Sequence, residues 1–463
     1  MDSPIGAGGA VKPRMSWAQH VRITLMLGLP LAGAQLAQMA INMTDVIMLG
    51  WYGTDDLAAG VLGTQAFLLT FMFGSGFAHA IIPIASQAEG RGDIQGVRRS
   101  VRMGLWVTAL FGLAVMPMLW HIETILLWLG QEPDLAQLAG DYMRIAQWGL
   151  FPALGTLALR AFYSAVSRTQ IILWATLVGT LSNALFNYMF IFGRLGAPEL
   201  GVEGAAIASL ISATLILLVL IGWIIRHELF ASYDLFARLW RPDWAAFFEV
   251  LWLGLPIALT IVAETSLFFA TAVMMGWLGT VPLAAHGIAM QLISMSFMVP
   301  LGLSGAATVR IGQAIGRRDG DLLSRAAIAS IGVAGVIAIL AALMFFLVPE
   351  PLIGLFLDSG NPEAALVLAT AVPLLTVAAG FQFFDSMQVT GAGLLRGLKD
   401  TKTPLAMAVL SYWGIGMPTA YLLGIVAGYG GVGIWSGLAI GLAIAAVLLN
   451  GRFFARVRQL SFT

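Results

Sequence analysis

The stretch LGLPLAGAQLAQMAINMTDVIMLGWYGTDDLAA at residues 27–59 decides the fold, because a similar stretch, LGLPIALTIVAETSLFFATAVMMGWLGTVPLAA, occurs at residues 253–285 with the same LGLP start and the same GW-x-GT turn. The second copy begins 226 residues after the first. The same offset still holds at the pairs Gln65 and Gln291, Gln87 and Gln313, Gly90 and Gly316, and Asp93 and Asp319. Each copy contains an apolar run longer than the roughly 20 residues that a helix needs to cross the hydrocarbon of a bilayer. The sequence therefore predicts a membrane protein built from two homologous halves.

The composition excludes most other classes of protein. Hydrophobic residues make up 59% of the 463 residues and charged residues only 10%, whereas a soluble domain carries about 25% charged residues. The net charge is zero, which argues against a nucleic-acid partner. There is no cysteine, so disulfides and thiolate metal sites are impossible. No phosphate-binding motif is present, so we expect no nucleotide, no cofactor and no enzymatic activity.

Twelve apolar segments are long enough to span a membrane. They lie at about 22–49, 57–83, 101–120, 138–160, 171–193, 204–226, 247–277, 283–307, 325–348, 366–394, 404–427 and 432–454. Because six helices per half is an even number, both halves enter the membrane from the same side and form parallel repeats. We therefore predict an all-α polytopic membrane protein with twelve transmembrane helices in two pseudo-symmetric six-helix lobes.

The loops predict the boundaries and the orientation of these lobes. We expect an N-terminal cytoplasmic tail at 1–20, lobes at 21–226 and 247–455, an amphipathic cytoplasmic connector at 227–246 and a C-terminal cytoplasmic tail at 456–463. Of the 24 lysine and arginine residues, only Arg144 and Arg194 fall on the side opposite the termini. Since basic residues concentrate on the cytoplasmic side of membrane proteins, both termini are predicted to be cytoplasmic.

Three carboxyl groups lie inside the predicted spans, namely Asp45, Glu264 and Asp385. A charge at the bilayer centre costs at least about 2.5–3.5 kcal/mol, and none of the three has an obvious basic partner in the sequence. A carboxyl group removed from water binds a proton more readily than in solution. These residues are therefore candidates for exchanging protons or holding a cation, although a protonated structural carboxyl group is an alternative.

Other polar residues share helix faces with these acids or lie in neighbouring spans. Gln35, Gln38, Asn42 and Asp45 follow one another at steps of three and four residues, which places them on one face of the first helix. The repeat aligns Gln38 with Glu264. Further candidates for lining a cavity are Asn183, Asn187, His286, Phe381 and Gln388. The asparagine pair could equally join two helices by hydrogen bonds, and His286 could simply donate to a backbone carbonyl.

Several motifs resemble the MATE (multidrug and toxic compound extrusion) family, and most closely its bacterial NorM-type branch. They are LPLAGAQLAQMAINMTDVIMLG in the first span, SNALFNYMFIFG at 182–193, AHG at 285–287 and FQFFDSMQVTGAGLLRGLKDTKTP at 381–404. The resemblance covers about residues 20–455. It implies two lobes around a central cleft and antiport of organic cations, such as drugs and dyes, against protons and/or sodium. It also implies a multi-pass protein of the bacterial inner membrane, and we expect a functional monomer in the lipid bilayer.

The resemblance also implies roles for particular residues. Asp45 matches an acid tied to substrate export and proton coupling, whereas Glu264 and Asp385 match a pair tied to the coupling cation, including a possible sodium site. Many relatives have tyrosine where this chain has Phe381, and His-Gln where it has His286 and Gly287. The missing phenol removes one oxygen ligand, so we expect protons to be at least one coupling ion.

Two alternative carriers are considered. A lipid-linked oligosaccharide flippase of the same superfamily would need deep cationic groups to meet a pyrophosphate, but the deep groups identified here are acidic. A carrier of the major-facilitator type would need a basic motif after its second helix, where this chain reads QAEGRGD. A channel or a membrane enzyme would need a selectivity filter or a catalytic cluster, and the sequence contains neither.

Overall fold

A computed structural model describes residues 15–357 and 362–460, and in these residues the secondary structure is helical, with no strand. The long helices are α1 (Trp17–Tyr52), α2 (Thr54–Arg91), α3 (Ile94–Trp120), α4 (residues 133–165), α5 (Thr169–Ile191), α6 (Gly201–Arg226), α7 (Trp244–Trp277), α8 (Thr280–Arg317), α9 (Gly320–Leu347), α10 (Ala364–Gly397), α11 (Lys402–Val426) and α12 (Gly430–Gln459). Short helices at Ile122–Trp128, Glu228–Ala231 and Pro349–Gly354 connect them. The expected tail at 1–20 lies mostly outside the described residues.

Eleven of the described helices are long and apolar enough to cross a membrane. The remaining one of the twelve predicted spans, at 138–160, corresponds to α4. It consists of Pro133–Ala146 and Leu150–Ala165, which a 3-10 turn at Gln147–Gly149 joins. Pro152 has no N–H to donate to the carbonyl of Trp148, which explains why the regular hydrogen-bond ladder is interrupted at this turn. The predicted span at 138–160 is therefore covered by two helical pieces and not by one continuous helix.

The repeat produces matching helix starts in the two halves. Asp93 and Asp319, which are related by the 226-residue offset, cap α3 and α9. The Asp93 carboxylate accepts from the N–H of Gly96, and the Asp319 carboxylate accepts from that of Leu322, both at 2.8 Å. A carboxylate in this position satisfies a free N–H of the first turn. The two six-helix lobes are thus pseudo-symmetric in their local structure as well as in their sequence.

The lobes meet along a seam of close backbone contacts that obeys the same symmetry. Gly76 of α2 packs against the backbone of Ala258 in α7, and Gly302 of α8 packs against the backbone of Ala32 in α1. A Cβ atom at either glycine would overlap the facing backbone. Because glycine lets two helix backbones approach closely, these positions set the distance between the lobes.

The seam continues toward the end of the bundle that carries the basic loops. There α2 and α8 extend to Arg91 and Arg317, well beyond the predicted ends at residues 83 and 307. Gly90 lies against the backbone of Gln313, and its repeat partner Gly316 lies against the backbone of Gln87. The lobes are therefore closed against each other at this end.

Two glutamines hold this closed end by reciprocal hydrogen bonds. The Gln87 amide donates to the carbonyl of Gly397 at the end of α10 at 2.9 Å. The Gln313 amide donates to the carbonyl of Ala165 at the end of α4 at 2.8 Å. Carbonyls in the last turn of a helix have no partner within the helix. Each lobe thus satisfies one such carbonyl of the other lobe.

The segment between the lobes packs against the N-terminal half. Phe230 and Leu235 are buried in its largest apolar cluster. The hydroxyl of Tyr233 donates to Glu89 at 2.9 Å, and the indole of Trp106 donates to the carbonyl of Leu239 at 2.8 Å. The connector therefore lies on helices α2 and α3 and joins α6 to α7 at the closed end.

Candidate functional site

The first candidate site surrounds Asp45 in the N-terminal lobe. One carboxylate oxygen accepts from the amides of Asn183 at 3.1 Å and Asn187 at 2.6 Å, and the other accepts from the hydroxyl of Ser209 at 2.8 Å. These donors come from α5 and α6, so three helices converge on one acid. Both asparagines are completely buried. They hold Asp45 in place by hydrogen bonds that join α5 to α1.

The remaining polar residues of α1 have different surroundings. Gln38 is half-buried and Asn42 is exposed. The side-chain oxygen of Gln35 accepts from the guanidinium of Arg160 in α4 at 2.9 Å. The polar face of α1 thus joins the Asp45 cluster at one level to an arginine nearer the closed end.

The second candidate site contains Glu264 of α7 and Asp385 of α10. Asp385 is 3% exposed, and its Oδ1 atom has no hydrogen-bond partner among the described residues. The two carboxyl groups lie close enough to interact electrostatically. Like charges at short range out of water cannot both remain unneutralised. A proton or another cation bound at this pair would remove that repulsion.

Tyr412 of α11 belongs to this site, although the sequence did not indicate it. Its hydroxyl is fully buried and lies near Glu264, Asp385 and the amide of Gln388, without hydrogen-bond geometry to any of them. It sits in a π-helical turn at Leu410–Gly416, and such turns often occur at functional sites. Phe381 does remove a phenol from α10, but α11 places another phenol, that of Tyr412, near the same two acids.

Phe381 instead forms part of an aromatic wall beside the carboxyl pair. Its ring centroid lies 5.4 Å from that of Trp435 and 6.2 Å from that of Phe268. The ring centroid of His286 lies 5.5 Å from that of Trp435, and the Nδ1 atom of His286 has no partner within the described part of the chain. Phe381, His286 and Gln388 are buried inside the C-terminal lobe. These residues therefore surround the acids from within the lobe.

Arg396 is a basic residue near the carboxyl pair, although it forms no ion pair with either acid among the described residues. It lies near Glu264, and its guanidinium donates to the hydroxyl of Ser304 at 3.1 Å and the carbonyl of Ala392 at 3.3 Å. The arginine comes from the same helix as Asp385, more than two turns further on. Because Arg396 and Glu264 are far apart in the sequence, their proximity could not be predicted from it.

The second site offers a set of oxygen atoms without partners. Asp385, Gln388 and Tyr412 each present one such buried atom, and Glu264 adds a carboxyl group nearby. Carboxylate, amide and hydroxyl oxygens suit a hard cation. The same atoms could hold a single proton between two carboxyl groups. The arrangement thus suits reversible binding of a small monovalent cation.

Comparisons with known proteins agree with this architecture. The MatE family model matches residues 30–189 and 256–422, in two parts whose starts are again 226 residues apart. The "Probable multidrug resistance protein NorM" of Rhizobium meliloti (strain 1021) is 51% identical over 446 residues, which is 96% of each chain. The protein of the same name from Agrobacterium fabrum is 47% identical over 444 residues, again 96% of each chain.

Solved structures share the fold at low sequence identity. One is described as the "Outward-facing conformation of a multidrug resistance MATE family transporter of the MOP superfamily", with a TM-score of 0.86 at 21% identity, covering 98% of this chain and 100% of that one. The eukaryotic MATE transporter AtDTX14 has a TM-score of 0.84 at 19% identity, covering 96% and 98% of the two chains. On its repeat, its fold and its full-length similarity to these relatives, this chain belongs to the MATE family, in its bacterial NorM-type branch.

Proposed function

We propose that this chain is a secondary active multidrug efflux transporter, which exports organic cations in exchange for protons and/or sodium. The observation that carries the proposal is the pair of acidic sites, one in each lobe of a membrane protein. A buried carboxylate attracts a cation strongly because the low dielectric of the interior screens little. The NorM relatives are named as multidrug resistance proteins, which supports the same class of substrate.

We assign the coupling ion to the Glu264 and Asp385 site. Antiport requires a group that binds the ion on one side of the membrane and releases it on the other. The carboxyl pair can do this, because neutralising one acid relieves its repulsion with the other. With the oxygens of Tyr412 and Gln388 nearby, the number of ligands no longer disfavours sodium against protons. Both ions are therefore retained in the proposal.

We assign a substrate-linked role to Asp45 and the polar face of α1. Asn42 is exposed and Gln38 half-buried on the helix that carries Asp45, so an organic cation could approach this face. The three donors that hold Asp45 fix the position of its charge. Protonation of Asp45 would remove that charge and weaken its attraction for a cationic drug.

Transport would proceed by alternating access between the lobes, which we place at residues 21–226 and 247–455. The reciprocal bonds of Gln87 and Gln313 close the end that carries the basic loops, and the concentration of basic residues there favours a cytoplasmic position for that end. Opening to the cytoplasm would require both bonds to break. The charge distribution thus supports a multi-pass protein of the bacterial inner membrane with cytoplasmic termini.

The experiment is ethidium efflux from proteoliposomes with a pH gradient or a sodium gradient imposed separately. We expect Glu264→Gln and Asp385→Asn to abolish gradient-driven efflux, because an amide cannot gain and lose a cation. The control Glu132→Gln makes the same chemical change at an exposed loop position and should transport normally. Gradient-driven efflux at the wild-type rate in both site variants would contradict the assignment.

A further inference from the structure

A polar cavity lies outside the region between the lobes, at the end of the bundle that carries the basic loops. It has a volume of about 520 Å³. Its walls are the first turns of α7, the loop from α10 to α11 and the last turns of α12. The mechanism proposed above uses none of these residues.

The polar half of this cavity carries an excess of positive charge. Four cations line it, at Lys399, Lys402, Arg452 and Arg456, against the two carboxylates of Glu249 and Asp400. Lys399 pairs with Glu249 at 2.7 Å. Asp400 is shared by Arg452 at 3.0 Å and Arg456 at 3.5 Å. One carboxylate cannot neutralise two guanidinium groups, so the cavity keeps two uncompensated positive charges.

The other half of the cavity is apolar and is contributed by α7. Phe248 and Trp252 line it and are 47% and 60% exposed. They follow Ala245 on one face of the helix at steps of three and four residues. Aromatic side chains with an accessible apolar surface are enriched where a membrane helix meets the headgroup region. The cavity therefore places cationic side chains beside exposed aromatic rings of α7.

We propose that this cavity binds an anionic phospholipid, with the headgroup phosphate at Lys402, Arg452 and Arg456 and an acyl chain along Phe248 and Trp252. A phosphate is the anion that clustered guanidinium groups hold best. A soluble phosphate would use only the cationic half, whereas a phospholipid matches both the cationic and the aromatic half. Lys399 follows directly on α10 and Lys402 begins α11, so an occupied cavity would hold the junction between these two helices.

The test uses the fluorescence of Trp252 in the full-length protein, reconstituted at low ionic strength. Phosphatidylglycerol and phosphatidylcholine with brominated acyl chains are the two quenchers. The signal of Trp252 is the difference between wild-type protein and Trp252→Phe. We expect the brominated phosphatidylglycerol to quench this signal at a much lower mole fraction than the brominated phosphatidylcholine.

Two variants test the charges directly. Lys402→Gln and Arg456→Gln, both at exposed positions, should each reduce the preference for phosphatidylglycerol about five-fold, in line with the contribution of one basic residue near an anionic surface. The control Arg22→Gln with Arg458→Gln removes two exposed charges from helices at the same end, but outside the cavity. It should leave the preference unchanged.

Three results would overturn the proposal. One is equal quenching by the two lipids, and another is a loss of preference in the control as large as in the cavity variants. The third is release of the brominated phosphatidylglycerol by millimolar glycerol 3-phosphate, which would identify a soluble phosphate as the occupant. Quenching that glycerol 3-phosphate leaves unchanged supports a lipid.

Discussion

The reciprocal glutamines offer the sharpest perturbation of the lobe arrangement. We predict that Gln87→Ala combined with Gln313→Ala shifts the protein toward a conformation that is open at the end carrying the basic loops. Each amide donates one bond to a helix-end carbonyl of the other lobe, at 2.9 Å and 2.8 Å. In the open conformation water can take over these bonds, so their loss penalises only the closed form.

The size of the shift follows from the hydrogen bonds that are lost. A hydrogen bond contributes about 0.5–1.5 kcal/mol net, and a buried carbonyl left without a partner costs about 1–3 kcal/mol. The two bonds lie at symmetry-related places and share no atoms, so their effects should add. We expect a total of about 2–3 kcal/mol, which corresponds to a change of about 30- to 150-fold in the ratio of closed to open protein.

The assay is a distance measurement between two spin labels at the closed end. The chain contains no cysteine, so Gln95→Cys in the N-terminal half and Arg317→Cys at the end of α8 give one labelled pair. Both positions are exposed. In the double variant we expect the short-distance population to fall and a longer distance to appear.

The control is Gln170→Ala, which removes an exposed glutamine from the first turn of α5, at the same end of the bundle. It should preserve the wild-type distance distribution. If the double variant also keeps that distribution in lipid, with and without a proton gradient, the two glutamines do not hold the lobes together.

Four further predictions concern single residues. Tyr412→Phe should weaken sodium-driven efflux more than proton-driven efflux, because it deletes an oxygen ligand and leaves both carboxyl groups; equal losses under the two gradients would contradict this. Asp45→Asn should reduce export of ethidium and leave sodium binding at the other lobe intact, as measured by isothermal titration of the purified protein. Gly302→Leu should stop transport, since a side chain there overlaps the facing backbone of α1; wild-type efflux would show that the seam can widen. The hydrogen bond from Arg99 lowers the pKa of Asp243. The carboxylate therefore stabilises the folded protein fully at any pH above its ordinary pKa, and this contribution is lost as the pH falls through the lowered pKa. Asp243→Asn should therefore cost up to about 1 kcal/mol at pH 7, discounted for the exposure of the pair, and less and less as the pH falls through the lowered pKa of Asp243, as thermal unfolding across an acid pH series would show.

The three acids of the candidate sites could be found from the sequence because each interrupts a long apolar run. Asp45, Glu264 and Asp385 stand out for the cost of placing a charge in a bilayer. Tyr412 and Ser209 could not be found in this way, since hydroxyl groups are common in membrane helices and carry no such cost. Their importance depends on which helix faces them.

The offset of 226 residues identified Gln87 and Gln313 as equivalent positions, but it gave no reason for a glutamine at either. Their partners, Gly397 and Ala165, lie 310 and 148 residues away in the chain. The hydrogen-bond partner of a side chain at that separation depends on how the two lobes dock. It cannot be predicted from a local sequence pattern.

The sequence by itself determined the membrane class, the twelve spans, the repeat and the distribution of basic residues. These properties depend on the length, polarity and order of segments along the chain, because the length and polarity of each segment decide whether it inserts into the bilayer. The tertiary structure decided which polar groups meet: three donors from two helices around Asp45, a phenol on a π-helical turn beside two carboxyl groups, and an arginine near Glu264. Such meetings depend on the rotation and the depth at which each helix packs, and those are set only when all the helices are in contact.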